Sequence, residues 1–305
     1  MEYELVKDIE GIEFLIFDKR QGLSGYLQLR KKLKSIRFSA LLHMQMSLRA
    51  SMIALMVNAP IKLGFDRQRA KDLQWLFSNH KINYQSQQHV IDSFFGFSQA
   101  LGVDEKIYRW DIPIPDSANE FALQHLPKNK PILVISPCSS MSYRNWNAEG
   151  YADVARYAVK QYAMQVVITG GPSDIEHEYA QAITQLCHAP VVNLVGQTTL
   201  KQLLAIFKHA DVALAPDSGP AHLATAVGTP VIGLYATTNP DRARPYLSAD
   251  YVVDCYPQAI QKVYNKSVAD VPFGLRAREA GTMDLISNDS VKSMLDKLML
   301  DQNQT

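Results

Sequence analysis

Six consecutive residues, Asp217-Ser-Gly-Pro-Ala-His222, carry the densest chemistry in this chain. Pro220 has the fixed φ suited to a first helical position. Gly219 allows close backbone approach, and Asp217 or Ser218 can cap the free amides. A helix opened in this way offers backbone N–H groups and a positive dipole end to a phosphate. His222 falls in the first turn and can add a donor to the same anion. Taken alone, the loop also fits a plain capped helix whose histidine only packs.

Neighbouring loops have matching character. Ser139 and Ser140, followed by Arg144, suit a diphosphate, because guanidinium binds phosphate oxygens bidentately and keeps its charge. A departing nucleoside diphosphate needs such a cation where no metal supplies the charge. The plainer alternative is a surface arginine beside a helix start. Asp174, beyond Gly170-Gly171, could accept from a ribose or sugar hydroxyl, or serve only as a first-turn acid. Residues 196–200 are placed to line a base pocket. Glu176-His-Glu178 lacks the second histidine of a zinc helix and reads as a solvated face, so no metal ligands are assigned.

The elements that position these loops are regular after residue 131. Short apolar runs at 132–136, 165–169, 191–194, 212–215 and 230–234 alternate with helical patterns at 148–161, 174–187, 200–210 and 220–227. Continuous apolar strands alternating with helices specify a parallel, doubly wound sheet covered on both faces. Ligands in such sheets sit outside the carboxyl ends of the strands, where every loop above falls. Before residue 111 the expected strands are 14–17, 39–43 and 62–65, and the expected helices 25–34, 47–58 and 88–102. Residues 111–131, with Pro113, Pro115, Pro127 and Pro131 around one short helical stretch, are the expected linker.

Bulk properties narrow the class. The 305 residues carry 31 basic and 30 acidic side chains, so no global field argues for nucleic acid. Three scattered cysteines fit a reducing compartment rather than a disulfide framework. No apolar stretch approaches the ~20 residues of a membrane span, which makes a cytoplasmic enzyme the expectation. The basic run Lys31-Lys-Leu-Lys34 reads as a solvated helix face, with anionic-membrane contact as the minor reading.

At these residues the sequence resembles the glycosyltransferase family 9 heptosyltransferases, the ADP-heptose:lipopolysaccharide enzymes of Gram-negative bacteria. The similarity runs through Ser47-Leu-Arg49-Ala-Ser51, Gly64-Phe-Asp-Arg67, Leu76-Phe-Ser-Asn79 and His89. It continues through Arg144-Asn-Trp146, Gly170-Gly-Pro-Ser-Asp174, Asp217-Ser-Gly-Pro-Ala-His222 and Tyr235-Ala-Thr-Thr-Asn-Pro240. The resemblance implies an α/β fold of GT-B architecture, with two Rossmann-like doubly wound domains facing across a cleft. Residues 1–126 would form the acceptor-side domain and 127–288 the nucleotide-sugar domain, with 289–305 a helix packing back on the first. It implies inverting transfer of L-glycero-D-manno-heptose from its ADP-sugar, a substrate and not a cofactor, to a Kdo-lipid A or heptosylated inner-core acceptor. Peripheral contact with the inner face of the inner membrane goes with that acceptor.

Carried over residue by residue, Ser139, Ser140 and Arg144 would hold the donor phosphates and Asp174 the nucleoside or sugar. Asp217, Ser218, Gly219 and His222 would grip heptose and diphosphate. Arg49, Asp66 and Arg67 would face the anionic acceptor. The sequence departs from the family at Met141, where a basic residue is usual, and at Arg144, where lysine is common. It also lacks the opening strand, Gly-Asp loop and helix, so the family's general base is expected N-terminal to Met1. Loss of such a base removes about 10²–10⁴-fold in rate. Two other readings stand beside transfer: a GT-B-like nucleotide-sugar 2-epimerase, and a non-catalytic nucleotide-sugar-binding remnant.

Overall fold

The structure is a computed structural model describing residues 2–127 and 129–304; Met1, Thr305 and Lys128 of the expected linker lie outside the described residues. Two compact units emerge, Glu10–Tyr108 and Met1–Ile9 with Arg109–Thr305. A short first helix, α1 (Glu2–Val6), goes with the larger unit.

The smaller unit holds α2 (Gly22–Leu33), β1 (Ala40–Leu42), α3 (Leu48–Met56), β2 (Ile61–Gly64), β3 (His80–Lys81) and α4 (Val90–Gln99). Its three strands are parallel in the order β1-β2-β3. In α2, Gly25, Leu29 and Leu33 recur every four residues and form the buried stripe, while Arg30, Lys31 and Lys32 occupy the last turn, where cations favour the dipole. Leu29 and Leu33 pack with Val57, and a separate cluster joins Leu63, Phe65, Ile82 and Phe97. The expected buried strand at 14–17 does not form: the segment has no strand assignment, and Ile16 is 63% exposed. An apolar run becomes a buried strand only where a neighbouring strand takes up its backbone groups, and pattern alone does not supply that neighbour.

The larger unit follows the expected alternation closely. It runs α5 (Asp116–His125), β4 (Ile132–Ile135), α6 (Ala148–Tyr162), β5 (Gln165–Ile168), α7 (Asp174–Cys187), β6 (Val191–Asn193) and α8 (Leu200–Lys208). Then come β7 (Val212–Pro216), α9 (Gly219–Ala226), β8 (Val231–Tyr235), α10 (Pro240–Ala243), β9 (Val252–Asp254), α11 (Tyr256–Tyr264) and α12 (Asn288–Asn303). All strand pairs are parallel, in the order β6-β5-β4-β7-β8-β9. The chain winds outward from β4 in one direction and then from β7 in the other. That reversal makes a crevice at the carboxyl ends of β4 and β7, where an open α/β sheet takes its ligand.

Both faces of the sheet are covered. One core gathers Trp146, Tyr151, Ile183, Leu295 and Leu298; the other gathers Ala118, Ala122, Phe207 and Ala224. Residues 109–126 belong to this unit rather than to the first domain, because α5 buries Ala118 and Ala122 in the same cluster as Phe207 of α8. Helix α12 packs within this same unit. Its Val291, Leu295 and Leu298 lie in the core with α6, and Asp296 accepts from Tyr157 (2.7 Å) and Tyr162 (2.6 Å).

Candidate active site

The loop leaving β4 is pinned at several points. Ser136 and Thr169 share a hydroxyl hydrogen bond of 2.6 Å that ties the ends of β4 and β5. Asn145 Oδ1 accepts from Ser139 N (2.7 Å) and closes the turn around Ser140, which stays exposed. A 3-10 turn over Ser142–Arg144 then presents Arg144. Two residues on, Trp146 is fully buried, donating through Nε1 to Ile286 O (3.1 Å) and meeting Tyr151 edge-on at 5.1 Å. Gly150 makes room for this ring, since a Cβ there would lie 2.4 Å from Trp146 Cζ2. Asn147 caps α6 by accepting from Gly150 N (2.7 Å). Arg144 therefore hangs from a rigid anchor.

The loop leaving β7 meets it. Arg144 Nη1 ion-pairs with Asp217 Oδ2 and donates to the Asp217 carbonyl, both at 3.1 Å. The pair spans the switch point, joining the carboxyl ends of the two strands where the sheet order reverses. Ser218 stands at the N-cap of α9, but its side chain makes no cap bond, and neither does Asp217. Capping, expected from the sequence, is thus absent, and Asp217 is spent on Arg144 instead. The Ser218 Oγ is buried without a hydrogen-bond partner. A Cβ placed on Gly219 would meet nothing within 4 Å, so open space fronts the first turn of α9. Burial among surrounding atoms lowers the His222 pKa, partly countered by Asp217, although the ring keeps an exposed face. A neutral imidazole there can still donate one hydrogen bond.

Three arginines that sequence reasoning missed join this site. Arg242 lies in α10, whose N-cap Asn239 accepts from Asp241 N (3.0 Å) and donates to Phe273 O (3.3 Å). An isolated antiparallel bridge, Thr238 to Arg276, and the bond from Ala277 N to Thr237 O (3.0 Å) bring in Arg276 and Arg278. The guanidinium carbons of Arg144 and Arg278 each lie 5.7 Å from the Tyr143 ring centroid. Burial would raise the Tyr143 pKa, yet adjoining Arg144, with Arg276 and Arg278, outweighs it and lowers the value. Burial first, then Arg276, lowers that of Arg242, with Asp217 opposing. Beside them an open cavity of about 380 Å³ is lined by Tyr143, Asn145, Tyr179, Arg278 and Asp284. The only sequence hint was the basic character of Arg242 and of Arg276-Ala-Arg278. Nothing local says that residues 276–278 return to 237–238.

The remaining candidates are more dispersed. Asp174 is exposed in the first turn of α7, with no hydrogen bond or ion pair to Arg144 or Asp217 among the described residues. Its neighbour Glu176, read earlier as part of a solvated face, turns back to accept from Gly171 N and Ser173 Oγ, both at 2.8 Å. In the smaller unit, Ser47 caps α3 by accepting from Ala50 N (3.3 Å), leaving Arg49 exposed in the first turn. Asp66, at the end of β2, is 5% exposed, ion-paired with Arg69, and accepts from Gln68 N (3.0 Å) and Arg69 N (3.2 Å). That carboxylate holds its own loop. Arg69 extends the clamp to Gln88 Oε1 (2.6 Å) and Asn83 O (2.7 Å). Arg67 is exposed and lies over Trp75 at 4.8 Å. His43, at the end of β1, is buried with both ring nitrogens lacking a hydrogen-bond partner, and burial lowers its pKa.

Comparison with known proteins fits this architecture. The profile of "Glycosyltransferase family 9 (heptosyltransferase)" matches residues 26–269. The chain is 40% identical over 299 residues to the lipopolysaccharide core heptosyltransferase OpsX of Haemophilus influenzae, covering 98% of this chain and 86% of that one. Lipopolysaccharide heptosyltransferase 3 of Escherichia coli is 25% identical over 231 residues, covering 74% and 67% respectively. Among solved structures, a family 9 glycosyltransferase from Veillonella parvula superposes with a TM-score of 0.73 at 21% identity, over 93% of this chain and 80% of the other. The E. coli ADP-heptose lipopolysaccharide heptosyltransferase II gives 0.63 at 18% identity, over 92% and 81%. These likenesses fix the fold as GT-B-like α/β with parallel sheets. The chain belongs to glycosyltransferase family 9 and is a glycosyltransferase.

Proposed function

We propose that this chain transfers heptose, with inversion, from ADP-L-glycero-D-manno-heptose to the Kdo or heptose inner core of lipopolysaccharide. The observation that carries the reading is the 40% identity to a lipopolysaccharide core heptosyltransferase across 98% of the chain. The Arg144–Asp217 pair at the switch point, beside the uncapped start of α9, agrees with it. An acceptor hydroxyl oxygen attacks the anomeric carbon from the face opposite the diphosphate. The bond from that carbon to the diphosphate oxygen breaks, ADP leaves with the electron pair, and the hydroxyl proton passes to a base. Negative charge grows on the leaving oxygen. Fixed donors and cations aimed at growing charge act without reorganising, which is where electrostatic catalysis is strongest.

Arg144, the α9 amides and His222 serve the diphosphate in this scheme, with Ser139 and Ser140 on the same loop as Arg144. Asp217 orients Arg144, and Asp174 is the donor-side acid for a sugar or ribose hydroxyl. Arg49 and Arg67 are the exposed cations for an anionic acceptor. No helix among the described residues is long and apolar enough to cross a membrane. Contact with the inner face of the inner membrane follows from the lipid-anchored acceptor. Epimerisation would need further acid and base groups at the site, and both the family and its 40% identical relative are transferases. Calorimetric titration with ADP, UDP and GDP tests the base choice directly. ADP should bind most tightly; preference for UDP would end the ADP-sugar assignment.

A further inference from the structure

Arg144 is one of four arginines at the switch-point crevice, and Asp217 is the one carboxylate ion-paired within the group. Arg242, Arg276 and Arg278 form no ion pair among the described residues, although Arg242 and Arg276 are both partly buried. Ser218 Oγ, Thr238 Oγ1 and Arg144 Nε are among the polar atoms buried there without hydrogen-bond partners. Ser218 and Thr238 are 7% and 5% exposed. Folding alone does not favour such an arrangement. Unpaired buried donors are destabilising, and like charges brought together add to that. A doubly charged anion seated among them would satisfy both debts.

We propose that Arg242 and Arg276, held at the site by the α10 turn and the Thr238–Arg276 bridge, complete with Arg144 a guanidinium cradle for the diphosphate of the donor. The inference rests on the transfer reading above and adds the residues that take up the leaving group's charge. Arg242 sits beyond β8, close against Gly274, where a Cβ would stand 3.6 Å from Arg242 Nε. Its turn is fixed by Asn239, which bonds both to Asp241 N and to Phe273 O. Arg276 enters from a different segment, and its backbone is fastened through the bridge and through Ala277 N to Thr237 O (3.0 Å). The two guanidiniums therefore reach the anion from separate, backbone-fixed loops. Burial and the neighbouring cations both disfavour charge on Arg242, and a dianion beside it offsets both. Thr238 Oγ1 and Ser218 Oγ each supply one hydroxyl donor to the same oxygens.

The test uses inorganic pyrophosphate and ADP as probes, titrated by calorimetry into the full chain and its Arg242→Gln, Arg276→Gln and Arg242→Lys variants. Thermal melting confirms that each variant is folded. Both glutamine variants should bind pyrophosphate and ADP about ten- to a hundredfold more weakly, as expected for a lost charged hydrogen bond. Arg242→Lys should fall between, keeping the charge but losing the planar fork. Unchanged affinity for both probes in folded Arg242→Gln and Arg276→Gln overturns the proposal, as does absence of pyrophosphate and ADP binding in the unaltered chain. If only the KM for the lipid-sugar acceptor rises, the anion belongs to the acceptor and the assignment to the leaving group is wrong. If ADP binds no better than UDP while both remain arginine-dependent, the ADP-sugar reading fails and the cradle stands.

Discussion

At the scale of single residues, the proposed chemistry turns on Arg144 and Asp217. Their side chains are 13% and 12% exposed, so the pair is nearly dry and geometrically fixed. Removing a preorganised charge donor at a developing oxyanion costs about 10²–10³ in kcat. Arg144→Ala should lose that much turnover, measured as ADP release, with little loss of fold because the Trp146 anchor is untouched. Ser218 gives a sharper contrast. Loss of a working N-cap costs about 1 kcal/mol, yet Ser218 makes no cap bond. Ser218→Ala should leave the melting temperature unchanged while weakening ADP; a stability loss of the usual cap size would contradict the geometry. His43 carries a pH prediction. Its folded pKa lies below the ordinary 6.5, chiefly through burial. Above 6.5 both folded and unfolded forms are neutral, and its contribution to stability is complete. As pH falls below 6.5 the unfolded chain takes up a proton that the native state resists, and stability falls. Denaturant melts of His43→Leu should show a shallower acid-side slope than the unaltered chain.

At the scale of elements, α6 is the support on which the donor loop rests. Gly150 is forced by the Trp146 ring, so Gly150→Ala should overpack the core by about 1–3 kcal/mol, lower the melting temperature and displace Arg144. A melting temperature equal to that of the unaltered chain would show that Trp146 can yield. The larger sheet was legible because its strands are continuous apolar runs, buried on both faces, with glycine-bearing loops at one end. The meeting of Arg144 with Asp217 followed from strand order, which alternation implies but single loops do not state. Other features depended on partners that no local pattern names. Residues 14–17 have strand composition and no strand assignment. The apolar stripe of α12, with Val291, Leu295 and Leu298, fits any receptive surface and found α6. Arg276 comes beside Thr238 through one isolated bridge, and Glu176 bonds back to its own loop.

At the scale of the whole molecule there are two α/β units, one with a six-stranded parallel sheet and a cationic crevice, the other with a three-stranded sheet and exposed Arg49 and Arg67. Family membership establishes glycosyl transfer, and in the proposed scheme the Asp217–His222 loop faces the departing diphosphate. The measurement that bears most directly on this account is mass spectrometry of Kdo-lipid A and of its heptosylated form, each incubated with the chain and ADP-L-glycero-D-manno-heptose. The account predicts a product heavier by one heptose residue, formed together with ADP and suppressed in Arg144→Ala. Both acceptors left unaltered, with donor bound and no sugar moved, would contradict it.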